Sequence, residues 1–154
     1  MSHVLTSRMS DVLTSRGSNL QFHVFTGQLR AMASNSVLVT GKKEAFLVDT
    51  LFVKEDATRL VEQIKATGKE LTTIVITHAH PDHYFGLPIV QKGFPNAKVY
   101  AGPVTVEFQK EFAAKIIHWK EMYPGEVPSL PSELTLPNVL TRDTFTLEGE
   151  EIQS

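Results

Sequence analysis

Apolar and polar positions follow two different periods along the chain, and the changes of period mark its elements. Gln21-Phe22-His23-Val24-Phe25 predicts a short strand. Ser36–Thr40 and Glu44–Thr50 are β-branched runs joined by Gly41-Lys42-Lys43, which predicts a hairpin. The period then lengthens: Ala57, Leu60, Val61 and Ile64 recur at i, i+3, i+4 and i+7, the stripe of a helix that ends near Gly68. Leu71–Thr77 predicts a buried strand, residues 82 to about 90 a short helix, and Lys98–Ala101 another strand. After Pro103, the residues Val104, Phe108, Phe112, Ile116, Trp119 and Tyr123 line one face of a long predicted helix. Pro124, Pro128, Pro131 and Pro137 make the next stretch an irregular connector, and TFTLEGEEIQ (144–153) predicts two strands about a Glu148-Gly149 turn. Alternating strands and helices argue for an α/β layered domain.

The first sixteen residues are a tandem repeat, MSHVLTSR then MSDVLTSR, differing only at His3 and Asp11. Rich in Ser and Thr, the stretch faintly resembles a transit peptide, but residues 1–20 read more simply as a flexible segment preceding a domain over 21–154. With 154 residues, one domain is the working count. Fifteen basic against seventeen acidic side chains give a formal charge of -2, so no basic field draws a nucleic acid or an anionic membrane. No apolar run approaches the roughly 20 residues of a membrane span. The expectation is a soluble, cytoplasmic protein that takes a small-molecule substrate. Cysteine is absent, which removes disulfides, thiolate ligands and a thiol nucleophile together. Any metal must be held by nitrogen and oxygen.

Those donors are concentrated in one place. Three of the six histidines and an aspartate fall within His78-Ala79-His80-Pro81-Asp82-His83, where the predicted core strand stops. Side chains two apart on extended backbone point the same way, so His78 and His80 can converge on one ion. Asp82 and His83, where the chain turns into a helix, face a neighbouring position. Imidazole nitrogen and carboxylate oxygen bind zinc at about 2.0–2.2 Å, and paired hydrolytic metals sit about 3.5–4 Å apart, a spacing one tight loop can serve. A single histidine at a strand end is more often solvated than ligating; three with an aspartate at this spacing point to metal.

This segment resembles the H-x-H-x-D-H signature of the metallo-β-lactamase superfamily. Thr77 before it, Gly86 after it and the strand end carrying Asp49 also fall where that family places them. The resemblance implies the first half of an αββα sandwich, a mixed sheet flanked by helices, with the second half missing. It implies His78 and His80 at a first metal, Asp82 and His83 at a second, and Asp49 as a supporting acceptor that orients a ligand. Zinc is the implied metal, two ions in a complete site, with iron or manganese served by the same donors. The implied activity is metal-dependent hydrolysis, a metal-bound hydroxide attacking an ester, lactone, lactam, thioester or phosphoester, with Asp82 also orienting the nucleophile.

The resemblance has limits in the residues themselves. The family takes further histidines and a bridging aspartate downstream, whereas the only histidine after His83 is His118. His118 lies mid-helix beside Trp119 and reads as a helix-surface residue; Asp143, the Glu148–Glu151 run, His23 and His3 have no partners at metal spacing. Two readings from different classes are open. In one, the chain is the N-terminal part of a dinuclear metal hydrolase. In the other, it is a non-catalytic half-domain that binds metal incompletely or assembles with another chain, including a second copy, through an uncovered sheet face.

Overall fold

The structure is a computed structural model and describes residues 8–14, 20–114, 116–141 and 144–153. Its strands are β1 (Arg8–Thr14), β2 (Gln21–Thr26), β3 (Asn35–Thr40), β4 (Glu44–Val48), β5 (Glu70–Ile76), β6 (Lys98–Ala101) and β7 (Asn138–Val139), followed by β8 (Thr144–Leu147) and β9 (Glu150–Gln153). The helices are α1 (Lys54–Ala66), α2 (Pro81–Tyr84), α3 (Leu87–Gly93), α4 (Pro103–Ala114) and α5 (Ile116–Met122). Strands β1 to β7 form one sheet in sequence order, and β8–β9 is a separate hairpin. Pairing is antiparallel from β1 to β4 and parallel from β4 to β7, so the sheet is mixed.

The alternation in β3 and β4 divides the molecule into two faces. Leu38, Ala45 and Leu47 point to one side, where they meet Leu60, Val61 and Ile64 of α1 and Leu87 and Val90 of α3 in the main core. Val39 and Phe46 point to the other, where Leu147 of the β8–β9 hairpin covers them. Helix α1 stops as expected: Gly68 takes φ 69, the left-handed conformation that ends a helix cheaply. The hairpin is held by one side chain. The Glu148 carboxylate accepts the backbone N–H groups of Lys42 at 3.0 Å, of Glu44 at 2.8 Å and of Lys43 between them, while its own N–H donates to Glu44 Oε2 at 2.8 Å. Beyond the hairpin this face opens into a cleft of about 600 Å³ lined by Glu70, Thr73, Lys98, Tyr100, Val139 and Thr146. The face expected to be uncovered is therefore covered in part.

Several elements differ from expectation. Arg8–Thr14 is a strand paired with β2, although the segment reads as a flexible tail, because β2 offers an edge and the Val and Thr content suits pairing. The other residues of the repeat fall in 1–7 and 15–19, which lie outside the described residues, as does Asp143. The helix expected from 82 to about 90 is two pieces, α2 and α3, meeting at Phe85-Gly86. Among the described residues of α4 the buried positions are Val106 and Gln109, whereas Val104 and Phe108 are exposed, so there the inward stripe is rotated from the one predicted; Ile116, Trp119 and Tyr123 do face the core, and the side chain of Phe112 lies outside the described residues. His23 is buried, with its Nε2 3.1 Å from Thr40 Oγ1 on the paired strand. Strand β7, hidden in the proline connector, adds a short parallel edge to β6.

Candidate metal centre

The site stands at one end of two adjacent parallel strands. β4 and β5 pair in register up to Val48 and Val75, so the residues just past them, Asp49 and Thr77, are laid side by side. The Asp49 N–H donates to Val75 O at 2.8 Å, and Asp49 then turns into a left-handed conformation with φ 63. Aspartate tolerates that region better than most residues. Its carboxylate, 4% exposed, accepts the Thr77 N–H on Oδ1 at 2.8 Å and the Thr77 hydroxyl on Oδ2 at 2.7 Å. The same Oδ2 lies 2.8 Å from His83 Nδ1.

These contacts set the ring tautomers. The Thr77 hydroxyl proton goes to Asp49, so His78 Nδ1, 2.8 Å from Thr77 Oγ1, must be the donor in that pair. Both His78 and His83 thus have Nδ1 engaged, and both present Nε2 forwards. Asp82 Oδ2 lies 3.3 Å from His83 Nε2. The His78 and His83 ring centroids are 4.0 Å apart and those of His78 and His80 4.8 Å, with His80 on the solvent side. Pro81 explains the turn that brings His83 back: it opens α2 at a position where a missing N–H costs nothing, after an extended His80.

Charge in the cluster is uneven. Hydrogen bonds donated by its ring to Asp49 and then to Asp82 push His83 up to about 9, against the burial that opposes its charge. His78 is held below its ordinary value by burial, reinforced by the positive His83 beside it. Burial opposes ionisation of Asp82, but the hydrogen bond and charge of His83 outweigh it and leave its pKa below the usual range. The two carboxylates that favour the protonated His83 ring favour a cation at the same place. Asp49, His78 and His83 offer three ligand atoms within 4.8 Å of one another.

The structure brings together His78, His80, Asp82, His83 and Asp49, and it leaves His118 exposed on α5 with its ring 5.5 Å from Trp119. Three contributors were not evident from the sequence. Thr77 relays Asp49 to His78 through its hydroxyl. Thr50 donates both its N–H (2.8 Å) and its hydroxyl (3.2 Å) to His83 O, and Ser34 Oγ donates to Asp82 O at 2.7 Å. No local pattern signals the last two, since they act across 33 and 48 residues of chain.

The family model of the metallo-beta-lactamase superfamily matches residues 29–151. The chain belongs to that superfamily. Among solved structures, it is similar in fold to a metallo-beta-lactamase from Pontibacter korlensis (TM-score 0.58, 20% identity, 92% of this chain and 57% of that one). It is similar also to FIM-1 from Pseudomonas aeruginosa in its mono-zinc form (TM-score 0.56, 15% identity, 94% and 56%). Among curated proteins, it is 28% identical to a coenzyme F420H(2) oxidase of Methanocaldococcus jannaschii over 116 residues, 71% of this chain and 27% of that one. The superfamily chain therefore spans little more than half of the two solved structures and about a quarter of the curated relative. Among the described residues, no helix is long and apolar enough to cross a membrane.

Proposed function

We propose that this superfamily chain is the metal-binding part of a metal-dependent hydrolase acting on an ester, lactone, lactam, thioester or phosphoester. One observation carries the reading: Asp49 and Thr77 engage Nδ1 of His83 and of His78, which leaves Nε2 of each ring for a cation, and His83 Nε2 lies 3.3 Å from Asp82 Oδ2. In this reading His78 and His80 serve a first metal position, and Asp82 and His83 a second. Asp49 is read as a supporting residue: although it could offer an oxygen to a cation, its two oxygens accept from Thr77 N–H, Thr77 O–H and His83 Nδ1, which orients both rings. Nitrogen and oxygen donors suit zinc, and also iron or manganese. When bound, the metal supplies Lewis-acid polarisation of the scissile bond and acidifies a water. Asp82, held ionised beside His83, orients the attacking water and takes up its proton. His83 and Asp82 would hold a cation in place of the proton between them.

The purified chain is loaded with zinc, iron or manganese, its bound metal is counted, and chromogenic ester, lactam and thioester substrates are assayed beside oxygen consumption. Bound metal lost in a His78→Ala/His83→Ala variant, together with hydrolysis, supports the reading. Equal metal content in parent and variant sinks it, and oxygen consumption without hydrolysis replaces hydrolysis with redox chemistry, as the name of the curated relative suggests. A second reading, a metal-binding unit that assembles with another chain, is favoured by the cleft on the sheet face beyond the β8–β9 hairpin. A monomer in sedimentation at all concentrations removes it.

A further inference from the structure

Asp56 is 1% exposed in the first turn of α1, yet it does not cap its helix. Its carboxylate faces the loop between β2 and β3 instead. Oδ2 accepts the Gln28 backbone N–H at 2.9 Å, and Oδ1 accepts Gln28 Nε2 at 3.0 Å. Gln28 is itself a hub. Its carbonyl accepts the N–H groups of Ala31 and Ala33 at 2.9 and 3.0 Å, its Nε2 also reaches Glu55, and its Oε1 accepts from Arg30. Gly27 passes so close that a Cβ there would lie 3.1 Å from Asp56 Oδ2.

The loop this anchor holds is strained. Met32 and Ala33 are consecutive non-glycine residues with φ 68 and 48, a left-handed conformation that crowds the Cβ against the following carbonyl. Such strain persists only where surrounding contacts over-determine it. The loop closes with the Gly27 N–H on Ser34 O at 2.8 Å, and Ser34 Oγ then donates to Asp82 O at 2.7 Å. We infer that Asp56 is a positioning residue: through Gln28 and the strained loop it places Ser34, and through Ser34 it sets the backbone of Asp82 at the metal centre. The inference rests on the proposed metal site for its consequence, but not for its geometry.

The test uses Asp56→Asn, which keeps the shape and loses an acceptor, with Ser34→Ala and the double variant. In the metal-free protein, amide exchange at Ala31 and Ala33 accelerates in Asp56→Asn, and the Asp82 and His83 amide resonances move in both single variants. With cobalt(II) as the probe, each single variant weakens binding by about 2- to 30-fold and changes the visible spectrum, and the double variant is no worse than the more impaired single. Asp56→Asn with lowered stability but parental Asp82 and His83 resonances makes Asp56 merely structural and overturns the inference. Additive losses in the double variant overturn it too. If the parent binds no cobalt, the metal reading fails and the metal-free resonances still decide the positioning role.

Discussion

Replacing Gly86 by alanine tests how the metal-loop backbone is packed. Gly86 joins α2 to α3, and a Cβ built on it would lie 2.0 Å from Thr50 O, 3.1 Å from Thr50 C and 2.9 Å from Ala57 Cβ. Real contacts of this kind do not fall below 3.0 Å, so Gly86 and Thr50 must part by at least 1.0 Å (3.0 − 2.0). Neither side yields easily. The Gly86 N–H donates to Leu51 O at 3.1 Å, and Thr50 is tied to His83 O by both its N–H and its hydroxyl. Overpacking costs about 1–3 kcal/mol, and losing one or two of these hydrogen bonds adds about 1 kcal/mol each, which together give roughly 2–5 kcal/mol. For a domain of this size that is a fall in Tm of roughly 4–20 °C. Gly68→Ala is the comparison, since Gly68 has φ 69 but nothing within 4 Å, and its cost is the left-handed penalty of about 1–2 kcal/mol alone. Urea unfolding followed by circular dichroism and by Trp119 fluorescence measures both. Gly86→Ala no less stable than Gly68→Ala would refute the close approach of the two backbones.

Three further outcomes are expected. Asp49→Asn keeps an acceptor for the Thr77 N–H but loses the oxygen shared by Thr77 Oγ1 and His83, so zinc affinity measured by competition with a chelating dye falls about 10- to 100-fold; an unchanged affinity excludes Asp49 from orienting the ligands. Phe52, 1% exposed, packs edge-on against Trp119 and Tyr123 with centroids 5.6 and 4.8 Å away, so Phe52→Ala costs about 3–5 kcal/mol in urea unfolding and shifts the Trp119 emission; less than 1 kcal/mol means the cluster is loose. Glu148 is held below its ordinary 4.5 by the backbone N–H groups of Lys43 and Glu44, so its contribution is complete above pH 4.5 and lost as pH falls through the lower folded value. Acid titration of the Lys43 and Leu147 amide resonances follows the hairpin, and the same acid step in Glu148→Gln shows that another group is responsible.

Much of the fold is legible in the residues because its signals are local. The β-branched runs of β3, β4 and β5, the 3.6-residue stripe of α1 and the Glu148-Gly149 turn each state their element within a few residues. The crowding of His78, His80, Asp82 and His83 is equally local, and so is the expectation of a metal. Position relative to other elements is where sequence reasoning misled. The repeat at the N-terminus is polar enough for a tail, and only the open edge of β2 makes residues 8–14 a strand. Val104 and Phe108 share a helical face with Trp119 and Tyr123 by spacing, but the sheet end that α4 meets buries Val106 and Gln109 instead.

By itself, the order of residues determined that nitrogen and oxygen donors gather where a buried strand ends, because period and motif are properties of neighbours in the chain. Only the tertiary structure decided how those donors are aimed. The parallel pairing of β4 with β5 brings Asp49 to Thr77, 28 residues away, and Ser34 reaches Asp82 across 48. The reason is physical: a hydrogen bond is fixed by distance and direction in space, and those are set by sheet register and packing that no short window of sequence contains.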